Sequence, residues 1–490
     1  MKLTTKTLLL TLVSLLFFAG CNNTDNAGDR PNVVIIFIDD MGYGDLSCTG
    51  NTLVETPNMD MLAEDGIRFS NFYVNSPICS PSRVALNTGM YPMRFAIHSY
   101  ISGSEQNRER AMADYLNPGA LTLARVLQEN GYATAHFGKW HLGGGRDLGD
   151  VPHPTEYGFD KSLVSFEGIG DRVLFPGDRL CEQSALLGRG NIIWAPKHRS
   201  TSIYVDSALA FVRKQRDEPF YLHLFPNDVH DPHLPDSAVL EKYKSVTANP
   251  WEQKFLAVVE ELDRQIGRFT KGLDDLGVLD HTIVVFTSDN GPTDWPHYYD
   301  RSRYPEDYEG ELYAPGFTGG FYGRKWSLYE GGIRMPFMVM WKDRIAGATE
   351  DHTTVMSAID LFPSLLSLLE IDVPEGLDGR DKSRALLGEP MLKSDPVMWE
   401  YSSNPGGSIA PGNPQFRSPN LAIRQDNMKL LINTDSSEVM MFDLDKDPYE
   451  QENLAEENPE LAGELAGKVL RWRRSMPVAI PGGIPGADEQ

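Results

Sequence analysis

The run Asn32-Val33-Val34-Ile35-Ile36-Phe37-Ile38 is apolar almost without a break and stops at two aspartates, Asp39-Asp40. A strand with one wet face alternates polar and apolar residues. An unbroken run is covered on both faces, as in a parallel sheet sandwiched between helices. The pattern recurs: residues 219–225 precede Pro226-Asn227-Asp228, and residues 282–287 precede Ser288-Asp289-Asn290-Gly291. Residues 67–73, 132–138 and 336–341 read as further strands. Helical patterns lie between them, at 57–66, 121–131, 201–215 and 250–276, and Gly277 is a natural stop for the last. Strands alternating with helices predict an α/β fold, a large, mostly parallel central sheet flanked by helices. In such sheets ligands bind beyond the carboxyl ends of the strands. Three strands that deliver polar clusters at that end therefore point to one site.

The texture changes after about residue 374. Short strand-like segments at 397–401, 421–424, 429–432 and 439–444 are separated by turn residues, and a helix at 459–472 follows. This predicts a small antiparallel sheet with one helix. The expected organisation is a large α/β unit over 31–375, a small α+β unit over 376–475 and a tail over 476–490. Residues 1–20 read as a signal segment: Lys2 and Lys6 precede the apolar run 8–20, which is short for a membrane span. Phe18-Ala19-Gly20-Cys21 matches the small-residue box before a lipidated cysteine, and 21–30 would be a polar tether. The expectation is an exported bacterial lipoprotein, periplasmic or tethered to the outer membrane, held to the membrane by lipid on Cys21 only.

Formal net charge is −24, and removal of the signal segment makes it more negative by two. That argues against non-specific attraction to a phosphate backbone, so no nucleic-acid partner is expected. An anionic substrate would need a locally basic site. Beyond Cys21 the cysteines are Cys48, Cys79 and Cys181. An odd number leaves at least one thiol free, while Cys48 and Cys181 are able to pair or not.

Asp39-Asp40 and Asp289-Asn290 each follow a strongly apolar strand. Adjacent carboxylates repel unless a cation sits between them, and oxygen ligands without sulfur or imidazole suit a hard ion, Ca²⁺ or Mg²⁺. Cys79 opens a short helical stretch in which Ser80 is able to cap and Pro81 suits the first position. A thiol there sits at the positive end of a helix dipole and is expected to turn acidic. Lys139 and His141 follow one strand, and His230, Asp231 and His233 follow another. A basic, glycine-bearing loop carrying Lys325 precedes the strand at 336–341.

Cys79-Ser80-Pro81-Ser82-Arg83, with Thr88-Gly89 following, resembles the C-x-P-x-R…T-G signature of type I sulfatases, members of the alkaline phosphatase superfamily. Asp39-Asp40, Gly138-Lys139-Trp140-His141, Asp289-Asn290-Gly291, Lys325 with Glu330-Gly331-Gly332, Ile359-Asp360-Leu361-Phe362-Pro363 and Phe442-Asp443-Leu444 all fall in that family's order. The likeness runs from about residue 31 to about residue 470. It implies that a separate maturation enzyme oxidises Cys79 to formylglycine (3-oxoalanine), whose aldehyde hydrates to a gem-diol. It implies one Ca²⁺ bound by Asp39, Asp40, Asp289, Asn290 and the modified Cys79. Arg83 would hold the hydrated aldehyde, Lys139 and Lys325 would grip sulfate oxygens, and His141 would work on the formylglycine hydroxyl. His230 would face the leaving-group oxygen, with His233 the alternative.

The implied reaction is hydrolysis of sulfate monoesters, with a sulfated glycan or oligosaccharide as substrate and a lean toward a galacto-configured sugar. Sugar subsites need aromatic platforms and hydrogen-bonding side chains. Trp295, His297, Arg301 and Arg303 lie between Asp289-Asn290 and Lys325 and are candidates, with Asp231, His233 and the segment 167–172. One rival is a phosphate or phosphonate ester hydrolase of the same superfamily. The other is a non-catalytic, glycan-binding lipoprotein.

Overall fold

The computed structural model describes residues 30–144, 146–401 and 409–477. The signal segment, Cys21, almost all of the tether and most of the tail lie outside the described residues. In chain order the elements are β1 (Asn32–Ile38), α1 (Pro57–Glu64), β2 (Ile67–Phe69), β3 (Phe72–Tyr73), α2 (Cys79–Thr88), α3 (Ser104–Glu109), α4 (Leu123–Glu129), β4 (Ala133–Lys139), β5 (Lys161–Ser165), β6 (Arg172–Leu174), α5 (Arg179–Glu182), β7 (Ile192–Trp194), α6 (Ser200–Gln215), β8 (Phe220–Phe225), α7 (Ser237–Tyr243), α8 (Pro250–Asp275) and β9 (Thr282–Ser288). There follow α9 (Glu330–Ile333), β10 (Phe337–Met340), β11 (Thr349–Asp351), β12 (Met356–Ser357), α10 (Leu361–Leu368), α11 (Ser383–Leu386), β13 (Val397–Glu400), β14 (Leu421–Gln425), β15 (Met428–Ile432), β16 (Met440–Asp443) and α12 (Pro459–Ser475).

Ten strands form one sheet in the order β11-β2-β10-β9-β1-β8-β4-β5-β6-β7. β1 lies near its middle, parallel to β8 on one side and β9 on the other. Its unbroken apolar run is explained by the two cores it serves. Val33, Ile35 and Phe37 enter one, and Val34, Ile36 and Ile38 enter the other, all fully buried.

Strand direction decides where the site forms. β10 is antiparallel to both β9 and β2. Its neighbours therefore finish at the edge where β10 starts, and the loop that precedes β10 arrives at the edge where β1, β4, β8 and β9 end. That reversal brings Lys325 to Asp40. The strand expected at 336–341 is thus present as β10, the antiparallel member that leaves the sheet mostly parallel. The strand predicted at 67–73 is also two strands. Ser70 and Asn71 break it, β2 stays in the large sheet, and β3 pairs with β12 in a separate two-stranded piece. Short strands β5 to β7 extend the sheet where no strand was expected.

A second sheet has the order β13-β14-β15-β16, antiparallel throughout. α12 covers one face through Leu465 and Val469. The other face presents Trp399, Ala422, Leu431 and Phe442 to the larger core. A buried ion cluster ties this sheet to the loop that bears Lys325. Lys429 Nζ lies 2.8 Å from Glu330 Oε1 and 2.9 Å from Glu450 Oε1, with all three side chains fully buried. Glu330 Oε2 also accepts from Tyr73 Oη at 2.6 Å.

Removing one member of such a cluster leaves charge buried without a partner, so Lys429→Met is expected to cost ~3–5 kcal/mol in urea unfolding. A loss below about 1 kcal/mol would show that the cluster contributes little, as for an exposed pair.

Candidate active site

Cys79 is the first residue of α2, and all ten residues of that helix are buried. Ile78 in extended conformation precedes the helix, so Pro81 is its third residue and not its first. Ser80 Oγ accepts from the Ile101 amide at 3.0 Å, tying the helix start to a neighbouring loop instead of capping it. Both details correct the sequence reading, while the position of Cys79 at a helix start stands.

Three carboxylates and three cations crowd the edge beside Cys79. Lys139 Nζ donates to both oxygens of Asp39, at 2.8 and 2.7 Å. Arg83 donates from Nε and Nη2 to Asp289 Oδ2, at 3.1 and 2.7 Å, and its Nη2 lies 3.4 Å from Asp39 Oδ1. Its Nη1 donates to the Lys139 carbonyl at 2.9 Å. Lys325 Nζ bonds Asp40 Oδ1 and stands 3.5 Å from Cys79 Sγ. Arg83 thus orders the acids beside Cys79.

The backbone is set for this. Asp40 has φ +65° and its amide donates to Asp289 Oδ1 at 3.1 Å. His141 has φ +52°. Left-handed conformations are uncommon outside glycine and gather where the surroundings over-determine them.

Two oxygens in the cluster are left over. Asp40 Oδ2 and Asn290 Oδ1 are buried and lack a hydrogen-bond partner. The Asn290 amide donates from Nδ2 to Asp40 Oδ1 at 2.8 Å, so its Oδ1 is the free end. Buried acceptors without a donor are costly, and a hard cation satisfies them. The donor set therefore fits a metal. Ligand atoms of Asp39, Asp40, Cys79 and His230 lie within 4.8 Å of one another. That grouping of acid, thiol and imidazole side chains includes His230, which was not in the predicted ligand set, and does not include Asp289. The oxygen-rich set suits a hard ion better than one with imidazole. Asp289 and Asn290 also adjoin Asp40 by direct hydrogen bonds.

The titrations follow burial and charge. Burial raises Asp40 and outweighs Lys325 beside it. Burial works to raise Asp39, but the charges of Lys139, Arg83 and Lys325 together outweigh it and hold the carboxyl well below the usual carboxylate range. Burial pushes the Cys79 thiol up to about 12, against the pull of Lys139 and Lys325. The helix-start argument for an acidic thiol therefore fails here. A fully buried sulfur beside acids stays protonated, and Cys79 is not a ready thiolate.

Both histidines brought to the site are held neutral, mainly by burial and then by the charge of Lys139. His141 Nε2 lies 3.1 Å from the Ile101 carbonyl and donates to it, which leaves Nδ1 bare, buried and without a partner. His230 Nδ1 donates to the Asp231 carbonyl at 2.6 Å, so its bare Nε2 points toward Asp40 Oδ2, 3.9 Å away.

A cavity of about 200 Å³ opens over Cys79. Cys79, His141, His230 and Lys325 line it, with Trp295. So do residues the sequence did not single out: Tyr100, Arg146, Phe166, Leu180, Trp326 and Ile409. Arg146 follows a glycine run, which was the one available signal. It pairs with Glu167 and donates to Ser102 Oγ at 2.6 Å. Within the proposed wall 167–172, Glu167 contributes through Arg146, and Phe166 just before it supplies the ring.

Other candidates stand elsewhere. His233 turns its Nε2 to the Val229 carbonyl at 2.9 Å and packs on Phe255, so His230 and not His233 faces Cys79. Asp231 bonds Tyr298 Oη and lies 3.8 Å from His297 Nε2, outside the cavity lining. Arg301 and Arg303 are exposed, on the Tyr308 ring and beside Asp300, and do not line it. Cys48, Cys79 and Cys181 are all free thiols, so Cys48 and Cys181 do not pair.

The sulfatase family profile matches residues 31–371, more than half of the chain. The chain belongs to the sulfatase family. It is a sulfuric ester hydrolase with an alkaline phosphatase-like fold. A second profile, that of the N-sulphoglucosamine sulphohydrolase C-terminal region, matches residues 318–474 of this sulfatase. An N-acetylgalactosamine-6-O-sulfatase of Bacteroides thetaiotaomicron is 30% identical over 520 residues, covering 94% of this chain and 97% of the relative. A solved Bacteroides thetaiotaomicron protein from the metabolism of multiple glycosaminoglycans superposes with TM-score 0.68 at 26% identity, covering 91% of this chain and 100% of that one. The phosphonate monoester hydrolase of Agrobacterium radiobacter shares the fold, with TM-score 0.59 at 20% identity over 91% of this sulfatase and 96% of its own chain.

Lys325 stands between Asp40 and Cys79 Sγ, with its charge paired by Asp40. Lys325→Ala is expected to lower kcat/KM by about 10²–10³, the scale of losing one preorganised partner of transition-state charge. Arg303→Ala, off the cavity, is expected to leave it unchanged. A Lys325→Ala enzyme within about threefold of the parent would remove Lys325 from the chemistry.

Proposed function

We propose that this sulfatase removes sulfate from a sulfated carbohydrate, using formylglycine made from Cys79 and one calcium ion. The observation that carries this reading is the setting of Cys79. It opens a buried helix, meets Lys325 at 3.5 Å, and lies 4.0 Å from Oδ1 of Asp40, the carboxylate to which Asn290 donates and whose other oxygen has no partner. Asp39, Asp40, Asp289 and Asn290 would hold the calcium together with the modified side chain. When bound, formylglycine supplies a hydrated aldehyde as an oxygen nucleophile that is regenerated, and calcium offsets negative charge around it.

The chain's own residues then divide the remaining work. Asp39, Asp40 and Asp289 are balanced by Arg83, Lys139 and Lys325, so a bound dication leaves the pocket positive within an acidic protein. That suits a sulfate monoester, whose negative charge repels a nucleophile unless cations offset it. Lys139 and Lys325 bind sulfate oxygens. His141, which lines the cavity, accepts a proton at Nδ1, its bare nitrogen. His230 presents Nε2 to the leaving-group oxygen. Phe166, Trp295 and Trp326 exclude water and give a sugar ring apolar faces to rest on. Support for a galacto-configured sugar comes from the N-acetylgalactosamine-6-O-sulfatase relative. A separate maturation enzyme would make the formylglycine. Lipid on Cys21 would anchor the protein at the membrane, with 31–375 as catalytic unit and 376–475 as the smaller one.

The shared fold of a phosphonate monoester hydrolase keeps one second reading open. Against a two-metal phosphatase, a single cluster of potential His, Cys, Asp and Glu ligands occurs among the described residues. Sulfate, phosphate and phosphonate esters, with a panel of defined sulfated saccharides, are to be assayed side by side on protein from a host with the maturation enzyme. Faster release of sulfate, lost in Cys79→Ala, is expected. Faster phosphoester turnover overturns the sulfatase substrate, and glycan binding without turnover favours the binding protein.

The metal has its own test. Calcium added to chelator-stripped protein at about 100 times its Kd should stabilise the fold by about 2.7 kcal/mol. Asp40→Asn should abolish that gain. A gain that persists in Asp40→Asn places the ion elsewhere.

A further inference from the structure

Behind the site stand two buried histidines that the proposed chemistry does not use. His136 on β4 and His223 on β8 are register partners on neighbouring parallel strands, 87 residues apart in sequence. Their Nδ1 atoms are 3.2 Å apart. His136 Nε2 lies 3.2 Å from the Lys139 carbonyl oxygen, and Tyr221 Oη meets His223 Nε2. His136, His223 and Tyr221 are all at most 1% exposed.

The proton positions follow in order. A carbonyl oxygen only accepts, so His136 carries its hydrogen on Nε2. Burial, with Arg83 close by, keeps His136 neutral, so its Nδ1 is bare. His223 Nδ1 must therefore donate to it. Burial keeps His223 neutral as well, which leaves its Nε2 bare to accept from Tyr221. The hydrogen bonds run one way, from Tyr221 through His223 and His136 to the Lys139 carbonyl. Aligned bonds in a low-dielectric interior strengthen one another.

That carbonyl is the atom to which Arg83 Nη1 donates at 2.9 Å. The backbone around it has no slack. Gly138 has φ +124°, and a Cβ there would fall 2.1 Å from the Phe225 carbonyl oxygen. From this geometry we propose that Tyr221, His223 and His136 are positioning residues. They fix and polarise the Lys139 carbonyl as the anchor of Arg83, and so aim the guanidinium at Asp289 and Asp39.

Imidazole ¹⁵N–¹H correlation spectra of the mature, calcium-loaded protein are the direct test. His136 is expected as the Nε2–H tautomer and His223 as the Nδ1–H tautomer; the reverse at either position overturns the proposal. Kinetics give a second arm. His136→Leu removes the donor, and kcat should fall by about ten- to a hundredfold at unchanged KM, the scale of misaligned reacting groups. His136→Gln restores a donor and should recover most of the loss. Equal losses in both variants, or an effect on KM alone, overturn it. If His136→Leu does not fold, Tyr221→Phe decides: the bare Nδ1 of His136 still requires the hydrogen on His223 Nδ1, so the tautomers should hold while kcat falls at unchanged KM as the chain of bonds weakens, and an unchanged kcat or a reversed tautomer overturns the relay. The proposal rests on the reading of Arg83 as a site residue, which Arg83→Lys tests separately. Full activity in Arg83→Lys would end that reading. Wrong tautomers would end the relay and leave the reading of Arg83 standing.

Discussion

Three carboxylates, Asp39, Asp40 and Asp289, are shut away from water at one edge of the sheet, and the surrounding structure answers to that charge. Unpaired, each would cost several kcal/mol to bury. Arg83, Lys139 and Lys325 reach them from a helix start, a strand end and a loop, and those three elements are fixed in turn by the acids they serve. Asp40 turns into a left-handed backbone conformation and points its amide at Asp289. Two oxygens still lack partners after all this pairing. The cluster is thus complete as a set of acids and bases but incomplete as a set of ligands, which is what a cation-dependent site looks like before its ion is counted.

Sheet topology makes the convergence possible. β1, β4, β8 and β9 are parallel, so their carboxyl ends share an edge and deliver Asp39, Lys139, His230 and Asp289 there. β10 runs the other way and brings Lys325 to the same edge from in front of a strand. The smaller sheet secures that loop through the cluster of Lys429, Glu330 and Glu450. The path from chain direction to charge placement is short: one reversed strand accounts for one of the two site lysines.

The buried strands were legible because a run covered on both faces has no reason to alternate, and Asn32–Ile38 is the clearest case. The clustered acids Asp39, Asp40 and Asp289 were legible because they follow such runs. Cys79, Lys139, His141 and Lys325 were reached through the order of short motifs. What escaped depends on three-dimensional crossings. Tyr100, Arg146 and Phe166 meet over Cys79 from separate loops, and Phe166 and Glu167 need positive φ to do so. His136 and His223 are neighbours only through strand register. Arg301 and Arg303 show the opposite error, since basic residues near a site in sequence turned out to face solvent. The acidic thiol expected at a helix start was lost to burial, which outweighs the dipole when the sulfur is fully enclosed.

That last reversal gives the account its centre. A sulfur pushed up to about 12 is poorly suited to act as a thiolate, which is why the proposed nucleophile is an oxygen made in its place. The most direct test is the mass of the peptide containing Cys79, from protein purified from its native host. The account predicts a mass about 18 Da below that of the cysteine peptide, from replacement of CH₂SH by CHO at the activated position. An unmodified thiol there, in protein that still hydrolyses sulfate esters, would contradict it.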